Sequence, residues 1–290
     1  MTDSQAQSIF STKSRKLYQV IQGYRFPFGG KNWSKEKIES AIAYQAKEND
    51  KFIVTYPKNG TTWTQQMCYL IAKDAKQSGN KYIFKESFLD MKGVECLSKM
   101  SPNGLIKTHL PYHLFSQNPK AKYLWIVRNP KDACVSFYHH YVKIGNKYDI
   151  NMSFSEYFQH WINGEVSYGS YFDHVLSWWS HKDDANVTWM VYEHMINDPK
   201  KAIYQLAQFL GDEYYQKVTK SDNLVENILT KSSVEYMKSE FGFLVRKGEV
   251  GDWRNYMSQE ESDLVDKKMK EKFSGTGIEL LWDESILKWK

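Results

Sequence analysis

The chain is poor in cysteine and has no long apolar run, and both shortages exclude whole classes of protein. Its three cysteines (Cys68, Cys96 and Cys134) are odd in number and lack C-x-x-C or C-x-x-H spacing. We therefore expect reduced, mostly buried thiols, and neither a disulfide framework nor a metal site. No apolar run approaches the roughly 18 residues of a membrane span. The polar segment 1–16 also lacks the apolar centre of a signal peptide.

The sequence also lacks any linker, repeat or low-complexity tract that would divide its 290 residues. We predict a single domain over residues 1–290, with residues 1–20 a flexible N-terminal segment. The net charge is only +5, and the lysines form no basic block. Nucleic-acid binding and an enzyme with a highly anionic cosubstrate both fit that charge, but the scattered lysines favour the enzyme.

Short apolar runs alternate with amphipathic stretches along the chain. They predict strands near 51–56, 104–108, 122–127 and 186–191, and helices over 61–76, 130–144, 169–182, 199–210 and 258–273. Strands and helices interleaved in this way predict a parallel sheet with helices on both faces, an α/β fold.

Residues 55–63, TYPKNGTTW, join a predicted strand to a predicted helix. Such a connection directs backbone N–H groups and a helix N-terminus at an anion. Gly60 lets the chain turn and a phosphate approach, and Lys58 adds a positive charge. The lysine precedes the glycine, so this is not a Walker loop. The sequence predicts an unusual phosphate-binding loop, and the alternative is a strand–helix connection with an incidental lysine.

A second segment, residues 122–136, reads KYLWIVRNPKDACVS. Its bulky residues predict a buried strand with Arg128 at the carboxyl end, where open α/β sheets bind ligands. Pro130 favours a helix start, and Ser136 then lies about two turns along that helix. An arginine and a hydroxyl so placed can bind a phosphate by charge-assisted hydrogen bonds. The alternative is a surface arginine that pairs with Asp132.

A third segment, residues 245–253, reads VRKGEVGDW. Adjacent arginine and lysine followed by glycine form a flexible basic turn suited to an anion. Basic turns are common on protein surfaces, so this motif alone is weak evidence.

In this order along the chain, the three segments resemble the cytosolic sulfotransferase family, which uses 3′-phosphoadenosine 5′-phosphosulfate (PAPS). The family string R-K-G-x-x-G-D-W is complete here, and residues 164–170 (GEVSYGS) and the pair Trp178 and Trp179 add to the similarity. The resemblance covers about residues 20–285. It implies a P-loop-type α/β fold and a cytoplasmic PAPS-dependent sulfotransferase of small-molecule metabolism, typically detoxification, that needs no metal.

The resemblance also implies a role for each motif residue. Lys58 would stabilise the bridging oxygen of the leaving phosphate, and the loop residues that assist it are Asn59, Gly60, Thr61 and Thr62. The residues that would bind the 3′-phosphate are Arg128, Ser136, Arg246, Lys247 and Gly248, with Ser136 also a candidate catalytic residue. Trp63 and Tyr192 would contact the adenine. Sulfuryl transfer then depends mainly on alignment and charge stabilisation, whereas a kinase would also need a metal-holding acidic residue.

Residues 105–111, LIKTHLP, carry Lys107 and His109 at the end of a predicted strand, where strand periodicity places both on one side. A histidine near its ordinary pKa can accept a proton from an attacking hydroxyl, and a neighbouring lysine can stabilise developing charge. The alternative for a lone histidine is a core or surface role. In the family, K-T-H supplies the general base, so the resemblance assigns that role to His109.

The resemblance implies a small-molecule acceptor whose hydroxyl, in a phenol, catecholamine or alcohol, or whose amine receives the sulfuryl group. The family implies acceptor contacts from Phe88, Met91, Lys107, His109 and His140. His140 lies where phenol-sulfating relatives often carry phenylalanine, which makes one wall more polar.

Three departures from the family pattern affect these expectations. Residues 232–234 are Ser232, Ser233 and Val234 in place of T-S-F; Ser232 can still hydrogen-bond, but Val234 cannot stack on adenine, so we expect somewhat weaker nucleotide binding. The stretch from Met237 to Arg246 is short, which predicts an abbreviated lid. The homodimer motif falls on residues 254–263 with its central Thr-Val replaced by Ser-Gln, which weakens the inference of the usual dimer.

Two rival functions remain at this point. A nucleotide or small-molecule kinase with an unusual phosphate loop would turn over ATP with Mg²⁺. A non-catalytic nucleotide-binding protein would bind PAP, the desulfated product nucleotide, and sulfate no acceptor. The presence of both Lys58 and His109 favours the enzyme over the binding protein.

Overall fold

The computed structural model describes residues 18–28, 32–76, 87–100, 104–145, 152–242 and 245–282. Strands β1 (Gln19–Ile21) and β2 (Tyr24–Phe26) form an antiparallel hairpin. A four-stranded parallel sheet contains β3 (Lys51–Thr55), β4 (Leu105–Thr108), β5 (Lys122–Val127) and β6 (Val187–Val191) in the order β4-β3-β5-β6.

Helices connect and cover these strands. In chain order they are α1 (Lys35–Ile42), α2 (Thr61–Ala72), α3 (Leu89–Lys92), α4 (Pro130–Gly145), α5 (Phe154–Ile162), α6 (Tyr171–Trp179), α7 (Tyr192–Asn197), α8 (Pro199–Leu210), α9 (Asp212–Thr219), α10 (Asp222–Lys231), α11 (Val234–Phe241) and α12 (Gln259–Phe273). Short 3₁₀ turns occur at Val94–Lys99, Tyr112–Leu114, Asp252–Asn255 and Ile278–Trp282.

The α/β prediction is confirmed, including the four strands of the parallel sheet. The helix predicted over 61–76 ends earlier, at Ala72, because Asp74 and Ala75 adopt positive φ of 50° and 53°. Such angles cannot continue a right-handed helix. The sequence analysis did not identify α5, although its capping box of Ser153 and Glu156 is a recognised start signal.

Both faces of the parallel sheet are buried, and successive residues of each strand alternate between two cores. Phe52 and Val54 of β3 lie in the larger apolar cluster, whereas Ile53 between them lies in a second cluster on the other face. In β5, Trp125 belongs to the first cluster and Leu124 to the second. This is the pattern of a parallel strand covered by helices on both sides.

The four parallel strands end at one edge of the sheet. In the register, Val54 is opposite Thr108, Thr55 opposite Ile126, and Val127 opposite Val191. The residues that follow each strand therefore meet at this carboxyl edge, where α/β sheets place their ligands. The segments that carry Lys58, Lys107 with His109, and Arg128 follow or end β3, β4 and β5, so they lead into this edge.

The cysteines are buried and form no disulfide with one another, as expected: Cys68 lies on α2, Cys96 in the turn after α3, and Cys134 on α4. Among the helices that the structure describes, none has both the length and the apolar composition of a membrane span.

Candidate active site

The predicted phosphate loop lies between β3 and α2 and is shaped by two residues with positive φ. Lys58 has φ 73°, and Gly60, which precedes α2, has φ 91°. A Cβ atom on Gly60 would lie 2.6 Å from Cδ2 of Tyr192. Glycine is therefore required both by the backbone and by the close contact with the Tyr192 ring. The loop leads into a helix N-terminus, the end that attracts anions.

Other residues of this loop anchor it to the sheet. The buried side chain of Asn59 donates to the carbonyl of Ile126 over 3.5 Å. Oγ1 of Thr61 lies 2.7 Å from Oγ1 of Thr55, the last residue of β3. Thr62 is half-buried in the first turn of α2. The side chains of Asn59 and Thr61 thus stabilise the loop from within the protein.

The side chain of Lys58 lies in a buried environment that disfavours its charged form. Burial, with smaller contributions from the charges of Lys107 and Arg128, lowers the pKa of Lys58 to about 7. A neighbouring anion would favour the protonated form again. This position is suited to a side chain that becomes fully charged when a phosphate binds.

Arg128 lies directly after β5 and connects the phosphate loop to the basic turn of residues 245–253. Its guanidinium donates to the carbonyl of Lys58 over 3.1 Å and to that of Glu249 over 3.5 Å. The guanidinium carbon lies 4.3 Å from the centre of the Tyr192 ring. One buried arginine therefore joins the segments that follow β3, β5 and β6 to the third sequence motif.

Asp132 binds the basic turn, and not Arg128 as the alternative interpretation of the sequence had it. Its Oδ2 accepts from the backbone N–H of Gly251 over 2.7 Å, and its Oδ1 accepts from that of Trp253 over 3.0 Å. The carboxylate is buried. Its role in this structure is to attach the basic turn to the start of α4.

The two cations of the basic turn share one carboxylate. Arg246 forms an ion pair with Asp252, and Nζ of Lys247 lies 2.6 Å from Oδ1 of the same residue. Burial alone would raise the pKa of Asp252, but hydrogen bonds from Lys247 and Arg246 outweigh burial and hold the pKa at about 2. Asp252 thus remains charged and holds both cations in place.

Gly248 in the same turn is closely packed against Val234 at the start of α11. Gly248 has φ 72°, and a Cβ there would lie 2.4 Å from Cγ2 of Val234. The residue that departs from the family's nucleotide-contacting string thus touches the basic turn. The expected weakening of nucleotide binding by Val234 stays a prediction.

Two arginines have buried donor groups that are available to an anion. Within the described residues, Nε of Arg128 and Nε of Arg246 are both buried and lack a hydrogen-bond partner. Ser136, two helical turns into α4, is buried on the same element as Asp132. Buried guanidinium donors without acceptors are costly, and a phosphate would satisfy them. The residues present therefore fit a doubly phosphorylated nucleotide.

The predicted adenine contacts lie together. The rings of Trp63 and Tyr192 meet edge to face, with their centres 5.8 Å apart. Nε1 of Trp63 donates to the carbonyl of Ser232 over 2.9 Å, and the Ser232 hydroxyl donates to the carbonyl of Ile228 over 2.7 Å. Ser232 therefore positions Trp63 through its backbone.

His109 follows β4 and has a defined tautomer. Its Nδ1 lies 2.8 Å from the carbonyl oxygen of Thr55. A carbonyl only accepts, so Nδ1 carries the hydrogen and Nε2 is the acceptor nitrogen. Thr55 also contacts Thr61, so a single residue at the end of β3 links the imidazole to the phosphate loop.

The imidazole of His109 is neutral. Burial, followed by the charge of Lys107, lowers the pKa of His109 well below its ordinary value. A neutral ring with a free acceptor nitrogen can take a proton from a hydroxyl. The geometry is that of a general base.

The predicted acceptor residues surround this imidazole. The Phe88 ring lies edge to face with His109 at 4.9 Å between centres, and Nζ of Lys107 lies 4.3 Å from the centre of Phe88. The side chains of Lys107 and His109 thus both contact the Phe88 ring, and they lie on one side of the strand as its periodicity predicted. Met91 is buried on α3. Burial and the charges of nearby Lys58 and Lys107 lower the pKa of His140 well below its ordinary value.

Asp90, between Phe88 and Met91, is a site residue that the sequence analysis missed. Its Oδ2 accepts from the backbone N–H of His109 over 2.8 Å, and its Oδ1 from the Thr108 hydroxyl over 2.6 Å. Burial raises the pKa of Asp90 to about 6, although these hydrogen bonds favour the charged form. The only sequence signal was an acidic residue between two predicted acceptor contacts.

Two predictions fall partly or wholly outside what the structure tests. In the predicted lid, residues 243–244 lie outside the described residues. The altered dimer motif spans the start of α12, where Ser258 and Glu261 form a capping box. The weakened dimer stays a prediction. Within the described residues, no group of three or more His, Cys, Asp or Glu side chains could hold a metal ion.

Comparison with known proteins identifies the family. The model of the sulfotransferase domain matches residues 48–277. Rat sulfotransferase 1C2 is 32% identical over 269 residues, which cover 85% of this chain and 89% of that protein. Rabbit amine sulfotransferase is 28% identical over 291 residues, covering 90% of this chain and 94% of the relative.

A solved structure has the same architecture. The crystal structure of mouse sulfotransferase SULT7A1 complexed with PAP superposes with a TM-score of 0.75 at 28% identity, covering 93% of this chain and 98% of the mouse chain. The similarity extends over nearly the whole length of both chains.

Proposed function

This chain belongs to the sulfotransferase family, and on that premise we propose that it transfers the sulfuryl group of PAPS to a hydroxyl group of a small molecule. The observation that carries the proposal is the state of His109: a buried, neutral imidazole with Nε2 as its acceptor nitrogen. It lies among aromatic rings and is linked through Thr55 to the phosphate loop.

PAPS supplies the sulfuryl group that is transferred. Nε2 of His109 accepts the proton of the attacking acceptor hydroxyl, because Nδ1 is committed to the Thr55 carbonyl. Lys107, beside the same Phe88 ring, stabilises negative charge that develops on the transferring group. Lys58 becomes fully protonated in the presence of the nucleotide and stabilises the oxygen that leaves.

The nucleotide is held at its two ends. The loop of residues 57–62 and Lys58 bind the 5′ end, and Trp63 with Tyr192 flanks the adenine. The 3′-phosphate is bound by Arg128, Ser136, Arg246, Lys247 and Gly248. The buried, partnerless Nε atoms of Arg128 and Arg246 in the described structure support this assignment.

The acceptor is a phenol, catecholamine or alcohol, with an amine as the second candidate. Apolar rings at Phe88 and Tyr168 on two sides of His109 favour a flat or apolar acceptor body. The rabbit relative is named an amine sulfotransferase, which supports the amine as the alternative nucleophile. His140 adds a polar group to the acceptor side.

We further propose that residues 1–290 form a single domain and that transfer requires no metal ion. Positioning by amides and charge stabilisation by lysine and arginine provide what Mg²⁺ provides in phosphoryl transfer. Sulfuryl transfer in the presence of EDTA tests this part directly.

The function is tested by incubating the purified protein with radiolabelled PAPS and a panel of acceptors. The panel contains a phenol, a catecholamine, a steroid, an aliphatic alcohol and an amine. We expect a labelled product from at least one hydroxyl acceptor, undiminished by EDTA. ATP turnover that requires Mg²⁺ would identify a kinase instead, and PAP binding without any product would identify a binding protein.

His109→Ala tests the base. We expect it to abolish transfer yet leave the affinity for PAP nearly unchanged, since His109 lies on the acceptor side. Equal loss of transfer and of PAP binding would show that His109 is structural.

A further inference from the structure

Helix α6 lies against the carboxyl ends of β4 and β5 and hydrogen-bonds to their exit segments. Four of its side chains bond to backbone groups there: Tyr171 to Arg128, His174 to His109, Ser177 to Tyr112 and Trp178 to Leu110. Ser177 and Trp178 lie three and four residues after His174, which lies three after Tyr171, so all four side chains share one face of the helix. Polar side chains of a single helix thus hold the main chain on both sides of the site.

The contact to His109 is made by a second buried histidine. Nε2 of His174 lies 3.1 Å from the carbonyl oxygen of His109, and since a carbonyl only accepts, Nε2 carries the hydrogen. His174 is 1% exposed, and its Nδ1 has no hydrogen-bond partner among the described residues. Its ring also packs edge to face on Tyr56 at 5.6 Å. The side chain is a fixed, neutral donor.

The backbone of His109 is therefore restrained at both of its polar groups. Its N–H donates to Asp90 over 2.8 Å, and its carbonyl accepts from His174 over 3.1 Å. The ring is restrained separately, by Nδ1 to the Thr55 carbonyl over 2.8 Å. With all three restraints in place, the direction of Nε2 is fixed by the protein before any acceptor arrives.

Tyr171, one turn earlier on α6, makes the corresponding contact on the nucleotide side. Its hydroxyl donates to the carbonyl oxygen of Arg128, and its side chain is fully buried. Arg128 in turn donates to Lys58 in the phosphate loop over 3.1 Å. The same helix thus reaches the acceptor base and the arginine of the nucleotide site.

We propose that α6 is the positioning element that sets the distance between the two halves of the site, through His174 on the acceptor side and Tyr171 on the nucleotide side. The proposal rests on the proposed function, because it presumes that His109 is the base and that Arg128 binds the nucleotide. Neither His174 nor Tyr171 touches the reacting groups, so both act through the backbone that they hold.

His174→Asn and His174→Gln form a matched pair. The glutamine amide can place an N–H near the position of Nε2, whereas the shorter asparagine cannot. We expect His174→Asn to lower kcat by about 10- to 100-fold, the effect of a displaced catalytic group, with little change in the Kd for PAP. His174→Gln should stay within about threefold of the wild-type kcat.

Tyr171→Phe should affect the Kd for PAP and not kcat, the opposite of His174→Asn. Without the hydroxyl, Arg128 is less well placed, so we expect the Kd for PAP to rise by about five- to tenfold while kcat at saturating PAPS changes little. Tyr157→Phe is the matched control, because the buried hydroxyl of Tyr157 has no partner among the described residues. It removes a buried tyrosine hydroxyl of the same core and should leave both quantities unchanged.

The proposal is overturned if His174→Asn and His174→Gln have the same kcat, or if either Tyr171→Phe or His174→Asn changes kcat and the Kd for PAP in equal proportion. Circular dichroism and thermal unfolding of every variant identify a loss of activity that comes from misfolding. If His174→Asn is misfolded, His174→Leu replaces it, and a wild-type kcat in His174→Leu overturns the proposal as well. A failure of the proposed function is distinguishable, because the wild-type protein would then form no labelled product from PAPS, or His109→Ala would keep the wild-type kcat.

Discussion

At the scale of single residues, the site depends on cationic side chains whose proton affinity is reduced by burial. The pKa of Lys58 is lowered to about 7 and that of Lys107 to about 8, in each case chiefly by burial. Both values lie close to neutral pH, so the charge of the ligand-free site changes within the physiological range. Binding of an anionic nucleotide must therefore be linked to proton uptake.

This linkage predicts how PAP affinity varies with pH. Below about pH 7 Lys58 is already protonated, whereas above it each binding event must take up a proton, so affinity should fall by up to about tenfold per pH unit. Isothermal titration calorimetry in buffers of different ionisation enthalpy measures both the affinity and the protons taken up. In Lys58→Met the proton uptake between about pH 7 and pH 8 should largely disappear. An unchanged uptake in that variant would assign it to another group.

The same residue should be a cost to stability. The folded pKa of Lys58 lies below the unfolded value of 10.5, so the unfolded chain binds the extra proton between about pH 7 and 10 and stability rises with pH there. The burial penalty of the charge is fully present below about pH 7. Lys58→Met should therefore raise the free energy of unfolding by about 1–2 kcal/mol near pH 6, and by less near pH 9. Urea unfolding at the two pH values is the measurement, and a destabilised variant would contradict it.

Gly248 provides a steric prediction for the basic turn. An alanine there would place Cβ 2.4 Å from Cγ2 of Val234, in addition to the strain of φ 72°. Gly248→Ala should weaken PAP binding by about tenfold or more, because the turn that carries Arg246 and Lys247 must move. Adding Val234→Ala removes the clash but not the strain, so the double variant should recover part of the affinity. No recovery would show that the backbone conformation alone is limiting.

At the scale of elements, the site is assembled by contacts between segments far apart in sequence. Asp132 at the start of α4 bonds to the N–H groups of Gly251, 119 residues away, and of Trp253. α6 bonds to the segments that follow β4 and β5. The elements that bear the motifs are thus held together by polar side chains to which the sequence analysis assigned no such contact.

Asp132→Ala tests this arrangement. Two buried backbone N–H groups would lose their acceptor, which should cost about 2–4 kcal/mol of unfolding free energy. The freed basic turn should also bind PAP more weakly, by about tenfold or more. Chemical denaturation and calorimetry measure the two effects. Asp263→Ala, which removes an exposed carboxylate on α12, is the control and should change neither; PAP affinity equal to wild type in Asp132→Ala would contradict the interpretation.

The sequence alone predicted the elements that carry strong local signals. The parallel strands and the helices beginning at Thr61 and Pro130 were recognisable because an apolar run is followed by a Gly or Pro that marks the start of the next helix. Helices α9 to α11 were not predicted, since their short amphipathic patterns resemble exposed loops. In the site, the candidate residues could be named from their strings, whereas the contacts of Asp90, Asp132 and His174 could not. Their partners lie 19, 119 and 65 residues away, and no local pattern encodes such pairings.

At the scale of the whole molecule, the proposed nucleotide site draws on segments after three strands and on the basic turn. Ligand that binds only the folded form stabilises it in proportion to affinity, by about 2.7 kcal/mol at a concentration 100 times the Kd. PAP should therefore raise the unfolding temperature by several degrees.

Adenosine 5′-phosphate, which lacks the 3′-phosphate, should raise the unfolding temperature much less than PAP at equal concentration. Differential scanning calorimetry with both ligands checks the prediction, and Arg246→Ala should reduce the difference between them. Equal stabilisation by the two ligands would mean that the basic turn does not bind the second phosphate.

The three sealed thiols have a practical consequence for measuring the dynamics of this protein. Cys68, Cys96 and Cys134 lie on different elements, all buried, and burial raises the pKa of Cys68 and of Cys134. An alkylating reagent reacts only with an accessible thiolate, so each cysteine stays unlabelled until its own part of the core opens. Counting labels by mass over time would therefore time the opening of three regions separately, with no introduced probe. Simultaneous labelling would mean that the core opens all at once.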